Sequence, residues 1–175
     1  MILAVAAAVS LAIAFCAIVL FILVGIVDYQ TRKIPNVLVI MGLGLYAMWA
    51  LVTPGVPVPI DIIVGLALFA FGFVCWLLRF LGAGDAKFML VCGLFSGLDH
   101  LEVFALALAA FGVAVYVLVL VSRRTEVALF LARWGLRGLE ETGKIPYGVP
   151  LSLALVAAFV SRLGPQLTSI VGPAG

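Results

Sequence analysis

The chain has 175 residues, 66% of them hydrophobic and only 10% charged, with a mean hydropathy of +1.37. That composition excludes soluble globular and disordered classes and points to a polytopic membrane protein. A span needs roughly 20 apolar residues, so the length allows about six spans. Residues 1–175 therefore read as one integral-membrane domain, and a formal net charge of +2 gives no ground for a nucleic-acid partner.

Taken in order, the uncharged stretches predict six helices. Ile2–Val27 is the first; without a basic leading region, and too long for the apolar core of a cleaved signal, it is expected to be a span. Val37–Val52 follows, with Pro35 near its first turn. The Pro/Gly-rich stretch Thr53–Pro59 breaks the chain. Ile62–Leu78 is the third helix. The fourth runs from near Asp85 to near Leu101, with Lys87 snorkelling. Val103–Val121 is the fifth, and Ile145–Ser161 approximates the sixth. Between the last two, Val127, Phe130, Leu131 and Trp134 recur at helical spacing, which suits an amphipathic helix lying in the membrane interface.

Lysine and arginine set the orientation. Nine of the ten, Arg32, Lys33, Arg79, Lys87, Arg123, Arg124, Arg133, Arg137 and Lys144, fall in the connections after helices one, three and five. Arg162 alone falls elsewhere, in the C-terminal tail. The positive-inside rule makes the basic side cytoplasmic and leaves the N-terminus outside. Asp28 and Asp85 then both lie at the cytoplasmic side.

Those two acids carry the chemistry of the chain. Ionisable groups near hydrocarbon are costly and are functional by default. Asp85 follows Gly82-Ala83-Gly84 at a helix start, where a plain N-cap is the structural alternative. Asp28 is harder to explain structurally, because an anion is disfavoured at a helix C-terminus. Its structural alternative is a solvated ion pair with Arg32 or Lys33. Two carboxylates sharing a site hold one proton between them, so one can take a proton from water while the other donates. Peptide hydrolysis without metal or covalent intermediate needs that pairing. The acids stand 57 positions apart, so helix packing must bring them together.

The remaining polar features are quieter. Cys16, Cys75 and Cys92 form no CxxC pair and read as small buried hydrophobes, with no metal implied. Gly93 and Gly97 make a GxxxG pattern suited to close helix approach. Asp99, His100 and Glu102 read as solvated loop residues on the opposite side.

The segment Asp28-Tyr29-Gln30-Thr31-Arg32-Lys33-Ile34-Pro35-Asn36, the motif Gly82-x-Gly84-Asp85-x-Lys87 and the later Pro146-Tyr147-Gly148-Val149-Pro150 resemble the type IV prepilin peptidases, intramembrane aspartic proteases of the GxGD class. The resemblance spans nearly the whole chain. It implies a six-helix membrane bundle with Asp28 and Asp85 as the catalytic pair and no cofactor. Gly82, Gly84, Lys87, Lys33, Pro35, Asn36, Pro146, Tyr147 and Gly148 would support the site or bind substrate. The implied substrates are prepilins and pseudopilins, cut at the cytoplasmic face of the bacterial inner membrane after a short basic leader. Bifunctional members carry a cytoplasmic insertion, often with two CxxC pairs, and methylate the new N-terminus. This chain lacks both features and is most similar to the short Tad/Flp-pilus type, so N-methyltransferase activity is not expected. An archaeal-type preflagellin peptidase has the same motifs. From other classes, a small proton or cation channel or transporter and a non-catalytic scaffold stay open. Oligomeric state is left open as well.

Overall fold

The computed structural model describes residues 2–122 and 147–171. Among them there is no strand, and six helices follow in order: α1 (Ile2–Thr31), α2 (Asn36–Val52), α3 (Val58–Leu77), α4 (Ala83–Ser96), α5 (Leu101–Ser122) and α6 (Gly148–Val171). Residues 123–144, where the interfacial helix is expected, and Pro146 lie outside the described residues.

Residues 5–31, 58–77 and 101–121 are long and apolar enough to cross a membrane; 36–52 and 148–164 are shorter apolar helices. Large side chains such as Phe15, Leu51 and Phe71 are exposed around the bundle, an outward apolar surface that water would not tolerate and lipid would.

Element boundaries differ from the sequence expectation in instructive places. α1 runs one turn past Val27 and takes Asp28 into the helix; Arg32, left-handed at φ 55°, follows its end. Pro35 is the N-cap of α2, one residue outside it. α3 begins at Val58, so Asp61 lies inside it rather than in the preceding turn. α4 is shorter than expected, and α6 is longer: Arg162 belongs to that helix and not to a tail.

α4 is the centre of the bundle. It packs chiefly on α3, then on α6 and α2, while α1 lies against α6 and α2, and α5 against α6. Its fourteen residues rise about 21 Å, less than the roughly 30 Å of hydrocarbon, so its ends must be satisfied by protein. Close approach to α3 depends on glycine. A Cβ on Gly93 would stand 2.5 Å from the Cα of Gly65, and one on Gly72 would stand 3.1 Å from the Cα of Ala86. Half of the GxxxG pattern thus does what its spacing suggests. The other half, Gly97 at φ 61°, has a different task, because a side chain there would meet Asp61 and Arg162.

Between α1, α2, α4 and α6 lies an aromatic core. Phe21, Trp49, Phe88, Phe95 and Phe159 are buried, with Phe95 edge-on to Phe159 at 4.8 Å and to Phe21 at 5.0 Å. Of the cysteines, Cys92 is buried, Cys75 half-buried and Cys16 exposed; all are free. Burial therefore fails for Cys16, which sits on an outward face of α1.

At the end of the bundle opposite Asp28 is an ion pair that composition had hidden. Arg162 Nη2 lies 2.6 Å from Asp61 Oδ2, which also accepts from the Tyr46 hydroxyl at 2.7 Å. Arg162 Nη1 donates to the carbonyls of Leu94 and Phe95 at 3.0 and 3.1 Å. Those carbonyls lie in the last turn of α4 and have no partner within the helix. One guanidinium thus closes α4 and neutralises an acid that is completely buried.

Candidate active site

The site forms where the end of α1, the start of α4 and the start of α6 converge. Asp28, in the last turn of α1, is buried, and its Oδ2 accepts the amide of Gly148 at 2.8 Å. Gly148 is the first residue of α6, so Asp28 is at the wrong end of its own helix but at the favourable end of another. A Cβ on Gly148 would stand 2.6 Å from the Asp28 carboxyl carbon. Only glycine lets the carboxylate seat there.

Asp85 is the third residue of α4. Its Oδ2 accepts the Gly82 amide at 3.1 Å, the backbone half of a capping arrangement. Gly84 faces the chain between α1 and α2: a Cβ there would be 2.9 Å from the Ile34 carbonyl oxygen and 3.1 Å from the Ile34 nitrogen. The Gly-x-Gly spacing therefore has two separate reasons. Gly82 supplies the amide for the acid, and Gly84 admits the strand of backbone that follows Asp28. With Ile34 buried against Gly84, the segment that leaves α1 after Asp28 is drawn onto the start of α4, where Asp85 lies.

A cavity of about 370 Å³ opens beside Asp85, lined also by Arg32, Lys33, Ile34, Asn36 and Gly82 to Lys87. Asp28 is not in its lining and sits behind, toward α6. Lys87 is exposed and donates to Asn36 Oδ1 at 2.9 Å, so it ties α4 to the start of α2 rather than only snorkelling. A second hollow of about 240 Å³ adjoins on the far side of that bridge, lined by Val39, Ile40, Phe69 and Leu90 together with Asn36 and Lys87.

A type IV leader peptidase family model matches residues 3–118, well over half of the chain. The chain belongs to that family. No curated protein and no solved structure matches. The leader-peptidase match includes both aspartates, Gly82, Gly84 and Lys87, and ends before Gly148, which the fold nevertheless brings to Asp28.

Of the other residues singled out from sequence, Lys33 and Asn36 line the cavity, and Pro35 adjoins it as the N-cap of α2. Tyr147 is exposed and outside the lining. Sequence reasoning gave no site role to Ile34, whose backbone meets Gly84, or to Arg32, which it read as an ion-pair partner for Asp28 and which joins the lining. The spacing of Ile34 from Asp28 carried no signal for it. No cluster of three or more metal-ligating side chains occurs among the described residues.

Proposed function

We propose that this protein is an intramembrane aspartic endopeptidase that removes the short leader of type IV prepilins, of the Tad/Flp kind, at the cytoplasmic face of the bacterial inner membrane. One observation carries the reading most: in a member of the leader peptidase family, buried carboxylates at the end of α1 and the start of α4 lie at the same end of the bundle, where a cavity lined by Arg32, Lys33, Asp85 and Lys87 opens. Six spans, an outside N-terminus and an interfacial helix before α6 belong to the same proposal, as does the absence of methyl transfer.

In this mechanism Asp28 and Asp85 share one proton. The ionised carboxylate takes a proton from water as the oxygen attacks the scissile carbonyl. The protonated one gives its proton to the leaving amide nitrogen, and the C–N bond breaks. Asp85 opens on the cavity and is suited to meet the water and the peptide; Asp28, held by Gly148, supplies the second carboxylate from behind. Lys33, Asn36 and Lys87 line the approach.

A channel or transporter reading would need an acid left ionisable along a span. Asp61 is such an acid by position, but Arg162 and Tyr46 occupy it. The direct test is coexpression with a candidate prepilin, scoring leader removal by gel shift. Asp28→Asn and Asp85→Asn are each expected to abolish cleavage while the protein still accumulates in the membrane. Processing by either variant at the wild-type level would rule the dyad out.

A further inference from the structure

The two acids stand on different packing units. α4 carries Asp85 and is held against α3 where Gly93 meets Gly65. α1 carries Asp28 and is held against α6: a Cβ on Gly25 would stand 2.5 Å from Ser152 Oγ, one turn from the Gly148 amide that Asp28 accepts. The relative place of the acids is therefore set by how these units are fixed together. Between them the packing is aromatic, with Phe95 of α4 edge-on to Phe159 of α6 and to Phe21 of α1. Apolar burial is non-directional, so it resists separation more than sliding. Near the site, Gly84 against Ile34 limits how closely the chains approach. The directional ties come from one residue. Among the described residues, Arg162 makes each hydrogen bond from α6 to α3 or α4: to Asp61 at 2.6 Å, and to the carbonyls of Leu94 and Phe95 at 3.0 and 3.1 Å. Arg162 follows Gly148 by fourteen residues, about 21 Å along the same helix. α6 thus seats Asp28 at its start and, about four turns later, holds the helix that carries Asp85.

Resting on the peptidase reading, we propose that Arg162 is a positioning residue of the reaction: by tying α6 to α3 and α4 it fixes the register of Asp85 against Asp28 from the opposite end of the bundle. Its guanidinium suits the task, being planar with five donors, so that one group addresses a carboxylate and two carbonyls at once. Asp61 anchors the guanidinium to α3. Tyr46 holds Asp61 from α2 and is not part of the tie. Loss of the tie leaves the aromatic seam in place, so α4 slides or turns rather than separating. An ångström of such movement is enough to misplace a reacting group.

The test uses the full chain in detergent, with timed leader removal from a prepilin-form substrate and rates taken per monodisperse protein. Arg162→Met with Asp61→Leu removes the tie without leaving a buried charge unpaired. Its kcat is expected to fall roughly 10²-fold, with KM within about twofold of the wild type. The bell-shaped pH dependence of kcat should also narrow, because acids that move apart titrate less as a pair and their two apparent pKa values converge. Arg32, Lys33 and Lys87, the charged groups around the acids, are the same in every variant. Tyr46→Phe loosens the same end of the bundle but keeps the tie, so it should lower the thermal midpoint and retain the wild-type kcat and profile. If the first double variant does not accumulate, Arg162→Gln with Asp61→Asn takes its place with the same expectation. A monodisperse double variant with the wild-type kcat, a loss with the profile unchanged, or an equal loss in Tyr46→Phe overturns the assignment. In each of these cases Asp85-dependent cleavage by the wild type would leave the peptidase reading standing. Absence of that cleavage would remove both.

Discussion

Asp28 shows how one carboxylate can serve two demands. Its position in the last turn of α1 is electrostatically poor, yet the Gly148 amide at the start of α6 offers an anion site for it. On the proposed mechanism, catalysis and helix capping compete for the same oxygens, and the seating of Asp28 depends on the missing Cβ at residue 148. Gly148→Ala is expected to push Asp28 aside and lower prepilin processing by roughly 10²-fold, the cost typical of misplacing a catalytic group by about an ångström. Measured by timed leader removal, wild-type rates in that variant would show that Asp28 tolerates displacement. The Asp28→Asn and Asp85→Asn variants should lose roughly 10²–10⁴-fold, the usual contribution of a positioned acid or base. Glycine spacing in the sequence singled out the Asp85 loop, but it could not tell that Gly84 exists to admit Ile34.

At the scale of elements, α4 is a helix too short to face lipid at both ends, enclosed by longer ones. Its two ends are closed differently: Asp85 accepts the Gly82 amide at the first, and Arg162 reaches the carbonyls of Leu94 and Phe95 at the last. Removing one partner of a buried ion pair costs about 3–5 kcal/mol, because the other charge is left uncompensated. Arg162→Met should therefore lower the midpoint of thermal unfolding in detergent sharply. Adding Asp61→Leu should recover the part due to the orphaned acid and not the part due to the carbonyls, so the double variant is expected to stay below the wild type. Full recovery would mean that the cap on α4 contributes nothing. The hydropathy pattern placed Arg162 after a span because a charge normally marks a span's end. Here a partner one hundred and one positions earlier lets the helix continue through it.

For the whole molecule, the two ends of the bundle are chemically distinct. One carries the two aspartates with Arg32, Lys33 and Lys87, and the other the ion pair of Asp61 and Arg162 with Tyr46. Reporters fused after Gly55 and after Gly82 are expected to read periplasmic and cytoplasmic respectively; the reverse would put the carboxylates on the wrong face of the membrane. What the sequence by itself determined was the all-helical membrane class, most of the apolar segments, and the two acids in their glycine and proline settings. These are local properties: hydropathy follows composition along the chain, and a motif is read within a few residues. Only the tertiary structure decided that Asp28 takes its hydrogen bond from Gly148, that Gly84 meets Ile34, that Lys87 ties to Asn36 and that Arg162 pairs with Asp61. Each of those contacts joins residues about fifty or more positions apart, and which distant helix faces which is set by the packing of small and aromatic side chains rather than by any single segment's pattern.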